Sequence, residues 1–137
     1  MIKEQYIHSD VTAEILSVAF EVHKIIGSGF VESVYLKAMI AEFGLRCIEI
    51  DSEIELPVFY KNIKVGSRRA DLLVKKNVIV ELKAVTELND NHLAQAINYL
   101  EAFNLEVGLL INFGSKSLQY KRVIHPRLLN QRISKIK

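Results

Sequence analysis

The feature that most constrains the fold is a pair of apolar runs on either side of a short polar turn. Residues 69–74 read RADLLV and residues 78–83 read VIVELK, with Lys-Lys-Asn at 75–77 between them. Runs rich in β-branched residues that are bounded by polar turn residues are typical of β-strands. The segment therefore predicts a β-hairpin with charged residues near the far ends of both strands.

The length of the turn decides which side chains of this hairpin meet. A three-residue loop, with Asn77 in the left-handed conformation that asparagine tolerates, places Asp71 opposite Glu81. Directly opposed residues share a face, with Cβ atoms roughly 5 Å apart. Lys83, two residues further on, points to the same face as Glu81. A two-residue turn would instead move Glu81 to the other face.

Two carboxylates that face each other at the end of an apolar hairpin repel unless a proton or a cation lies between them. A hard divalent ion such as Mg²⁺ is the usual solution, and Lys83 could then orient water or steady a phosphate. The alternative is that Glu81 and Lys83 lie at a sheet edge and that Asp71 pairs with Arg68 or Arg69. The apolar Val78-Ile79-Val80 run favours a central strand for Glu81, but the residues alone leave both interpretations open.

The rest of the chain predicts helices and strands in an order that suits an α/β fold. A helix is expected from Asp10 to Ile26, capped by Ser9 or Asp10 and stopped by Gly27-Ser28-Gly29. The other predicted elements are a helix over 30–43, strands over 53–60, 64–74 and 78–84, a helix over 90–103, and strands over 106–112 and 118–124. We expect these elements to form a mixed β-sheet flanked by helices.

Two other positions are candidates for a site. Gln95 and Tyr99 are spaced i, i+4 on the predicted 90–103 helix and could reach a nucleotide, or could be ordinary polar residues at a helix–sheet boundary. Glu32 lies near the start of the second helix. With Gly29 as N-cap it would be the third helical residue, where a carboxylate favours free N–H groups, so nothing local makes it a ligand.

Composition sets limits on compartment and partners. A length of 137 residues fits one domain, which we expect to span 1–137. A single cysteine, Cys47, no apolar leader in the first ten residues and no membrane-length apolar run predict a soluble cytoplasmic protein without membrane contact. The net charge of +2 does not indicate nucleic-acid binding by itself. The basic tail, residues 127–137, could hold phosphates or simply keep the surface soluble.

At this point the residues resemble a known family. Gly29, Glu32 and Tyr35 reproduce the signature of the GxxExxY protein family, which resembles the PD-(D/E)xK nuclease superfamily. EVHKIIGSGFVESVY, RADLLV, VIVELKAV and GLLINFG are similar to family segments in the family's order, and the similarity covers about Thr12 to Val123. Ala70 stands where the superfamily name has proline.

The resemblance implies a restriction-endonuclease-like core and assigns roles to residues within it. Lys83 is the implied catalytic lysine, and Glu32 is the implied acidic residue from the preceding helix. Gln95 and Tyr99 resemble the QxxxY motif of RecB-type exonucleases, which supports the site and contacts the substrate, and Tyr35 is placed with them. The implied metal-binding set is Glu32, Asp71, Glu81 and Leu82.

The function implied by the resemblance is a Mg²⁺- or Mn²⁺-dependent nuclease that cuts DNA, in preference to RNA, at single strands or ends. Two alternatives are a non-catalytic module that binds nucleic acid or a partner, and a nuclease subunit that is active only within a larger repair or defence assembly. A homodimer is a further way for so small a chain to grip a long substrate.

Overall fold

The computed structural model describes residues 7–136. Within that range, four helices and five strands follow one another along the chain. They are α1 Ser9–Ile26, α2 Glu32–Leu45, β1 Ile50–Tyr60, β2 Ile63–Val74, β3 Val78–Lys83, α3 Asp90–Phe103, β4 Val107–Asn112, β5 Gln119–Ile124 and α4 Pro126–Ile136.

All five strands belong to one mixed sheet with the order β1-β2-β3-β4-β5. The β1–β2, β2–β3 and β4–β5 pairs are antiparallel, whereas β3 and β4 are parallel. Parallel neighbours need a crossover connection, and α3 supplies it. The predicted mixed α/β sheet flanked by helices is confirmed, and β3 is its central strand.

The sheet is covered on both faces. One core lies between the sheet and the α1–α2 pair and contains Val80, Leu82 and Leu109. The other lies under α3 and contains Ile79, Leu100 and Leu110. Strands covered on both sides read as continuous apolar runs, which is why every residue of β4 is buried and why β3 alternates between the two cores.

The predicted hairpin forms with the predicted register. Val74 pairs with Val78 across a three-residue loop, and the pairing continues inward along both strands. The left-handed residues of the loop are Lys75 (φ 52°) and Lys76 (φ 60°), so the placement of Asn77 in that conformation was wrong. Loop length, rather than the residue that carries the positive φ, sets the register.

Two other predictions, both about helix N-caps, are corrected. The N-cap of α1 is His8, in a left-handed conformation without a side-chain cap, instead of Ser9 or Asp10. The N-cap of α2 is Val31 instead of Gly29, so Glu32 is the first helical residue. The basic tail forms a helix, α4, that begins at Pro126, a residue favoured in a first helical turn. Among the described residues, no helix is long and apolar enough to span a membrane.

Candidate functional site at the open end of the hairpin

Asp71 and Glu81 lie side by side where β2 and β3 diverge. Regular pairing of the two strands ends at Leu72 and Val80. Beyond it, each carboxylate accepts a hydrogen bond from the main chain of the other strand. The Asp71 N–H donates to Oε1 of Glu81 at 3.1 Å, and the Leu82 N–H donates to Oδ2 of Asp71 at 2.8 Å. This exchange fixes both carboxylates and leaves Oδ1 of Asp71 and Oε2 of Glu81 as candidate ligand atoms.

The backbone of the neighbouring strand is irregular at the same level. Glu53 of β1 lies opposite Asp71, between the paired residues Ser52 and Ile54, and has φ 52°. A positive φ is uncommon for a residue with a side chain and is often found at functional sites. The pairing of β1 with β2 is therefore regular between Asp71 and the β2–β3 turn, and it is distorted at Asp71 itself.

Burial and mutual repulsion disfavour the ionised forms of both carboxylates. Glu81 is only 7% exposed, and its burial, followed by the charge of Asp71, raises its pKa to about 8. Burial is also the main reason why the pKa of Asp71 is raised, and the charge of Glu32 adds to it. At neutral pH and without a cation, this pair therefore retains a proton that two exposed carboxylates would lose.

Lys83 and Gln95 meet on the α3 side of the site. Nζ of Lys83 donates a hydrogen bond to Oε1 of Gln95 at 3.2 Å. Tyr99, one turn further along α3, packs against the core under that helix and has the Arg68 guanidinium 5.6 Å from its ring centre. The pKa of Tyr99 is raised, first by burial and then by the charge of Glu81. The structure thus brings Gln95 to Lys83, and it brings Tyr99 close enough for the charges of Glu81 and Asp71 to act on its hydroxyl.

Glu32 approaches from the α2 side. It lines a cleft of about 260 Å³ with Asp71, Glu53 and Arg69, closed by Ser33, Leu36 and Lys37. Arg69 forms an ion pair with Glu53 (3.4 Å), and Arg68 lies over Tyr99. The alternative in which Asp71 pairs with Arg68 or Arg69 at a sheet edge is therefore not what the structure shows. Glu53 and Arg69 are cleft residues that the sequence reasoning missed.

Tyr35 supports the site from within the core. Its side chain is fully buried and stacks on Phe113, with ring centres 4.6 Å apart. The Tyr35 hydroxyl donates to the Gly27 carbonyl at 2.6 Å and accepts from the Phe30 N–H at 3.3 Å. Gly29 between them has φ 107°, a conformation that favours glycine. These contacts hold the loop that presents Glu32.

Asn112, at the end of β4, anchors the loop after β3. Its fully buried amide binds the N–H and carbonyl of Val85, each at 2.9 Å, and accepts from the Gly114 N–H at 3.0 Å. The Lys83 carbonyl accepts from the Phe113 N–H at 2.9 Å. A Cβ on Gly114 would collide with the main chain of Val85. A polar residue at the end of the apolar GLLIN run was the one sequence signal for this anchor.

The donor set fits a hard divalent cation that keeps much of its own water. Asp71 and Glu81 offer one free carboxylate oxygen each, and Leu82, whose side chain is buried, could contribute only its main-chain carbonyl. Among the described residues, no group of three or more His, Cys, Asp and Glu side chains is arranged to hold a metal. Mg²⁺ commonly takes one or two carboxylates and completes its shell with water and phosphate, so a two-carboxylate site meets its needs.

Comparisons with known proteins give one matching family and a solved structure with a similar fold. The family model described as the PD-(D/E)XK nuclease superfamily matches residues 9–123. No protein with a curated description matches the chain. A solved structure described as "Crystal structure of SSO0001" is 17% identical, with a TM-score of 0.55, over 94% of this chain and 70% of that chain. At this identity the likeness concerns the fold alone, and the narrower GxxExxY assignment stays a prediction.

Proposed function

The chain belongs to the PD-(D/E)XK nuclease superfamily, and on that premise we propose that it is a metal-dependent nuclease that hydrolyses phosphodiester bonds in DNA. The observation that carries the proposal is the meeting of Asp71, Glu81 and Lys83 at one end of the central hairpin. A buried glutamate beside a half-buried aspartate that repels it destabilises the fold, so the pair together with a lysine indicates a functional site. We take the chain as one nuclease-like domain.

Mg²⁺ or Mn²⁺ is the proposed cofactor. Asp71 and Glu81 would hold the ion directly, the Leu82 carbonyl would complete the protein's share, and Glu32 would add charge from across the cleft. When bound, such an ion lowers the pKa of water and offsets the charge that builds up on a phosphodiester during its hydrolysis. Burial and then the charge of Asp71 raise the pKa of Glu81, and a bound cation would offset both effects by neutralising the carboxylates.

Lys83 would act on the reacting groups as a hydrogen-bond donor. Its ammonium group lies on the carboxylate face of β3, and Gln95 accepts one of its three protons. The other two remain available to orient an attacking water or to bind a non-bridging phosphate oxygen. Gln95 would thus be a positioning residue. Tyr99 and Arg68, adjacent to it, are the proposed contacts for the substrate strand.

The resemblance of Gln95 and Tyr99 to the QxxxY motif of RecB-type exonucleases supports DNA over RNA, and single strands or ends over duplex interiors. The alternatives of a non-catalytic module, a homodimer and a subunit of a repair or defence assembly have no observation in the structure that favours them. They remain outcomes of the test below.

The test is degradation of end-labelled single- and double-stranded DNA with Mg²⁺ or Mn²⁺, comparing the wild type with Lys83→Ala. We expect the wild type to cleave, and Lys83→Ala or chelator to reduce cleavage at least 100-fold, which is about the contribution of one positioned catalytic group. Lys116→Ala, which removes an exposed lysine from the loop before β5, is the matched control. It should cleave like the wild type.

Metal binding is measured separately, by calorimetry with Mn²⁺. Asp71→Asn should weaken Mn²⁺ binding at least tenfold, whereas Lys83→Ala should leave it nearly intact. A wild type that binds Mn²⁺ but cleaves neither DNA nor RNA would contradict the proposal of a nuclease that is active alone. Equal cleavage by the wild type and Lys83→Ala would contradict the site.

A further inference from the structure

The β1–β2 hairpin extends well past the rest of the sheet. β3 pairs with β2 only over Leu72–Val74, whereas β1 and β2 continue to pair as far as Tyr60 and Ile63. The tip is a two-residue turn, Lys61-Asn62, with positive φ at both positions, as in the tight turns that match strand twist. We call residues 56–69 the hairpin arm. It is a two-stranded ribbon with no third strand beside it.

The outer half of the arm exposes large apolar side chains instead of burying them. Phe59, Tyr60, Ile63 and Val65 are each between 59% and 64% exposed. An isolated two-stranded ribbon gains little stability from such residues. Tyr60 and Ile63 are a cross-strand pair that shares one face of the tip, whereas Phe59, next to Tyr60 in β1, points to the other face. Exposed apolar side chains concentrated at such a tip commonly mark a surface that binds a partner.

The charge of the arm indicates which partner fits. Residues 56–69 contain no acidic residue and four basic ones, Lys61, Lys64, Arg68 and Arg69. Nζ of Lys61 lies 5.6 Å from the ring centre of Tyr60, so a cation and an aromatic ring lie side by side at the tip. Two arms that packed against each other would bring eight cations together, with Glu53 as a partner for each Arg69 but no acidic residue within the arms themselves. The complementary partner is a polyanion that also offers flat apolar surfaces.

The arm leads directly into the candidate site. Along β2, Ile63 and Asp71 are eight residues apart, which is about 26 Å at the usual strand rise. Arg69 lines the cleft together with Asp71, and Arg68 lies over Tyr99. Basic side chains therefore continue from the tip to the carboxylates without a gap longer than a few residues.

We propose that the hairpin arm binds single-stranded nucleic acid and guides it to the cleft, a proposal that rests on the nuclease function proposed above. Phe59 and Tyr60, which as consecutive strand residues lie on opposite faces of the tip, would each stack on an unpaired base, and Lys61 and Lys64 would bind the phosphates of a strand that passes around the tip. Paired bases in a duplex cannot present their faces to these rings. The arm thus favours single strands or frayed ends over intact duplex.

The test is fluorescence anisotropy of a labelled oligothymidylate of about 20 nucleotides, longer than the stretch that one small domain occupies. Chelator is present throughout, so that neither cleavage nor metal contributes to binding. The double variant Phe59→Ala/Tyr60→Ala should weaken binding about 30-fold or more, the loss expected for two stacked bases, without changing its salt dependence. The double variant Lys61→Ala/Lys64→Ala should lower the slope of log K against log salt by about 1.4, at about 0.7 per lost phosphate contact.

Lys116→Ala/Lys121→Ala is the matched control. It removes the same charge from the far edge of the sheet, where both lysines are exposed, and should bind like the wild type. Because the arm residues that are changed are exposed, none of these variants should lose its fold, which circular dichroism checks.

Several results would overturn the proposal. The arm variants could bind the oligonucleotide as tightly as the wild type does. The wild type could also bind a duplex of equal length more tightly than the single strand. Arm variants that change only the mass in sedimentation would instead make the arm a protein interface. Failure of the arm is distinguishable from failure of the site. If binding depends on the arm but the protein cleaves nothing, the arm proposal stands and the nuclease proposal fails. If cleavage depends on Lys83 but the arm variants bind and cleave like the wild type, the nuclease proposal stands and the arm proposal fails.

Discussion

Replacing Glu81 with glutamine should stabilise the metal-free protein above neutral pH. Glutamine has nearly the same shape and keeps the Oε1 acceptor for the Asp71 N–H, but it carries no charge. Burial and the charge of Asp71 raise the pKa of Glu81 from 4.5 to about 8 on folding. The folded state therefore binds the proton more tightly than the unfolded chain, and the wild type loses stability as pH rises from about 4.5 to about 8. The variant should not show this loss.

The size of the effect follows from the pKa shift. Each pKa unit corresponds to about 1.4 kcal/mol, so the shift from 4.5 to about 8 sets an upper bound of about 5 kcal/mol on the difference above pH 8. Asp71, whose pKa is also raised, can take up the proton as Glu81 ionises and so shares the cost. We therefore expect a gain of about 2–4 kcal/mol at pH 8.5 and almost none at pH 4.5.

Urea unfolding followed by far-ultraviolet circular dichroism measures this difference, since the chain has no tryptophan to report by fluorescence. The series runs from pH 4.5 to 9 with chelator, and then with Mg²⁺. Saturation at 100 times the dissociation constant should add about 2.7 kcal/mol to the wild type. Glu81→Gln, which lacks one ligand charge, should gain much less, so Mg²⁺ should reduce or reverse the advantage of the variant.

Glu87→Gln, at an exposed position in the loop after β3, is the control and should stay within about 0.5 kcal/mol of the wild type at every pH. A Glu81→Gln variant that is less stable than the wild type at pH 8.5 in chelator would refute the reasoning, because it would mean that the charged form is favoured in the fold. Equal stabilisation of both proteins by Mg²⁺ would refute the role of Glu81 as a ligand.

Three further substitutions test the supports of the site. Tyr35→Phe leaves the Gly27 carbonyl and the Phe30 N–H without their buried partner and should lower the free energy of unfolding by about 1–2 kcal/mol in urea titrations. Asn112→Ala removes several buried hydrogen bonds and should cost about 3 kcal/mol by the same measurement; an unchanged midpoint would show that Val85 is held by other contacts. Gln95→Ala should lower kcat about tenfold with little change in KM, in steady-state cleavage assays, because it frees Lys83 without removing it.

Much of the fold could be predicted because local patterns and global packing agree. The 90–103 helix has an apolar face and a strong cap at Asn89, and its predicted bounds are confirmed. The hairpin register followed from loop length and from strands that are buried on both faces. The misassigned caps lie where the local signal is weak, since His8 caps α1 without a side-chain hydrogen bond. The helix α4 is different, because its apolar residues recur at helical spacing and only the charge of the segment was interpreted.

The part of the site that escaped prediction depends on contacts between residues far apart in sequence. Nothing in the letters around Glu53 indicates a positive φ, which exists only because β1 is distorted beside Asp71. The pairing of Glu53 with Arg69 and the stacking of Arg68 on Tyr99 likewise require strands and helices that are already assembled. Adjacent arginines of identical chemistry gave no means of telling which would face the cleft and which would face α3.

Glu81, which indicated the site in the sequence, is an acidic residue within a strand that is otherwise apolar up to Leu82. Val78-Ile79-Val80 and Leu82 are what a doubly covered central strand requires, and Glu81 between them is nearly as buried as they are. An apolar residue at that position would relieve the repulsion with Asp71 and stabilise the metal-free fold. A glutamate there is what the proposed function requires, since a cation beside it during the reaction would offset the repulsion. At Glu81, therefore, the residue present is not the one that would make the metal-free fold most stable. Positions of this kind are where functional residues are expected.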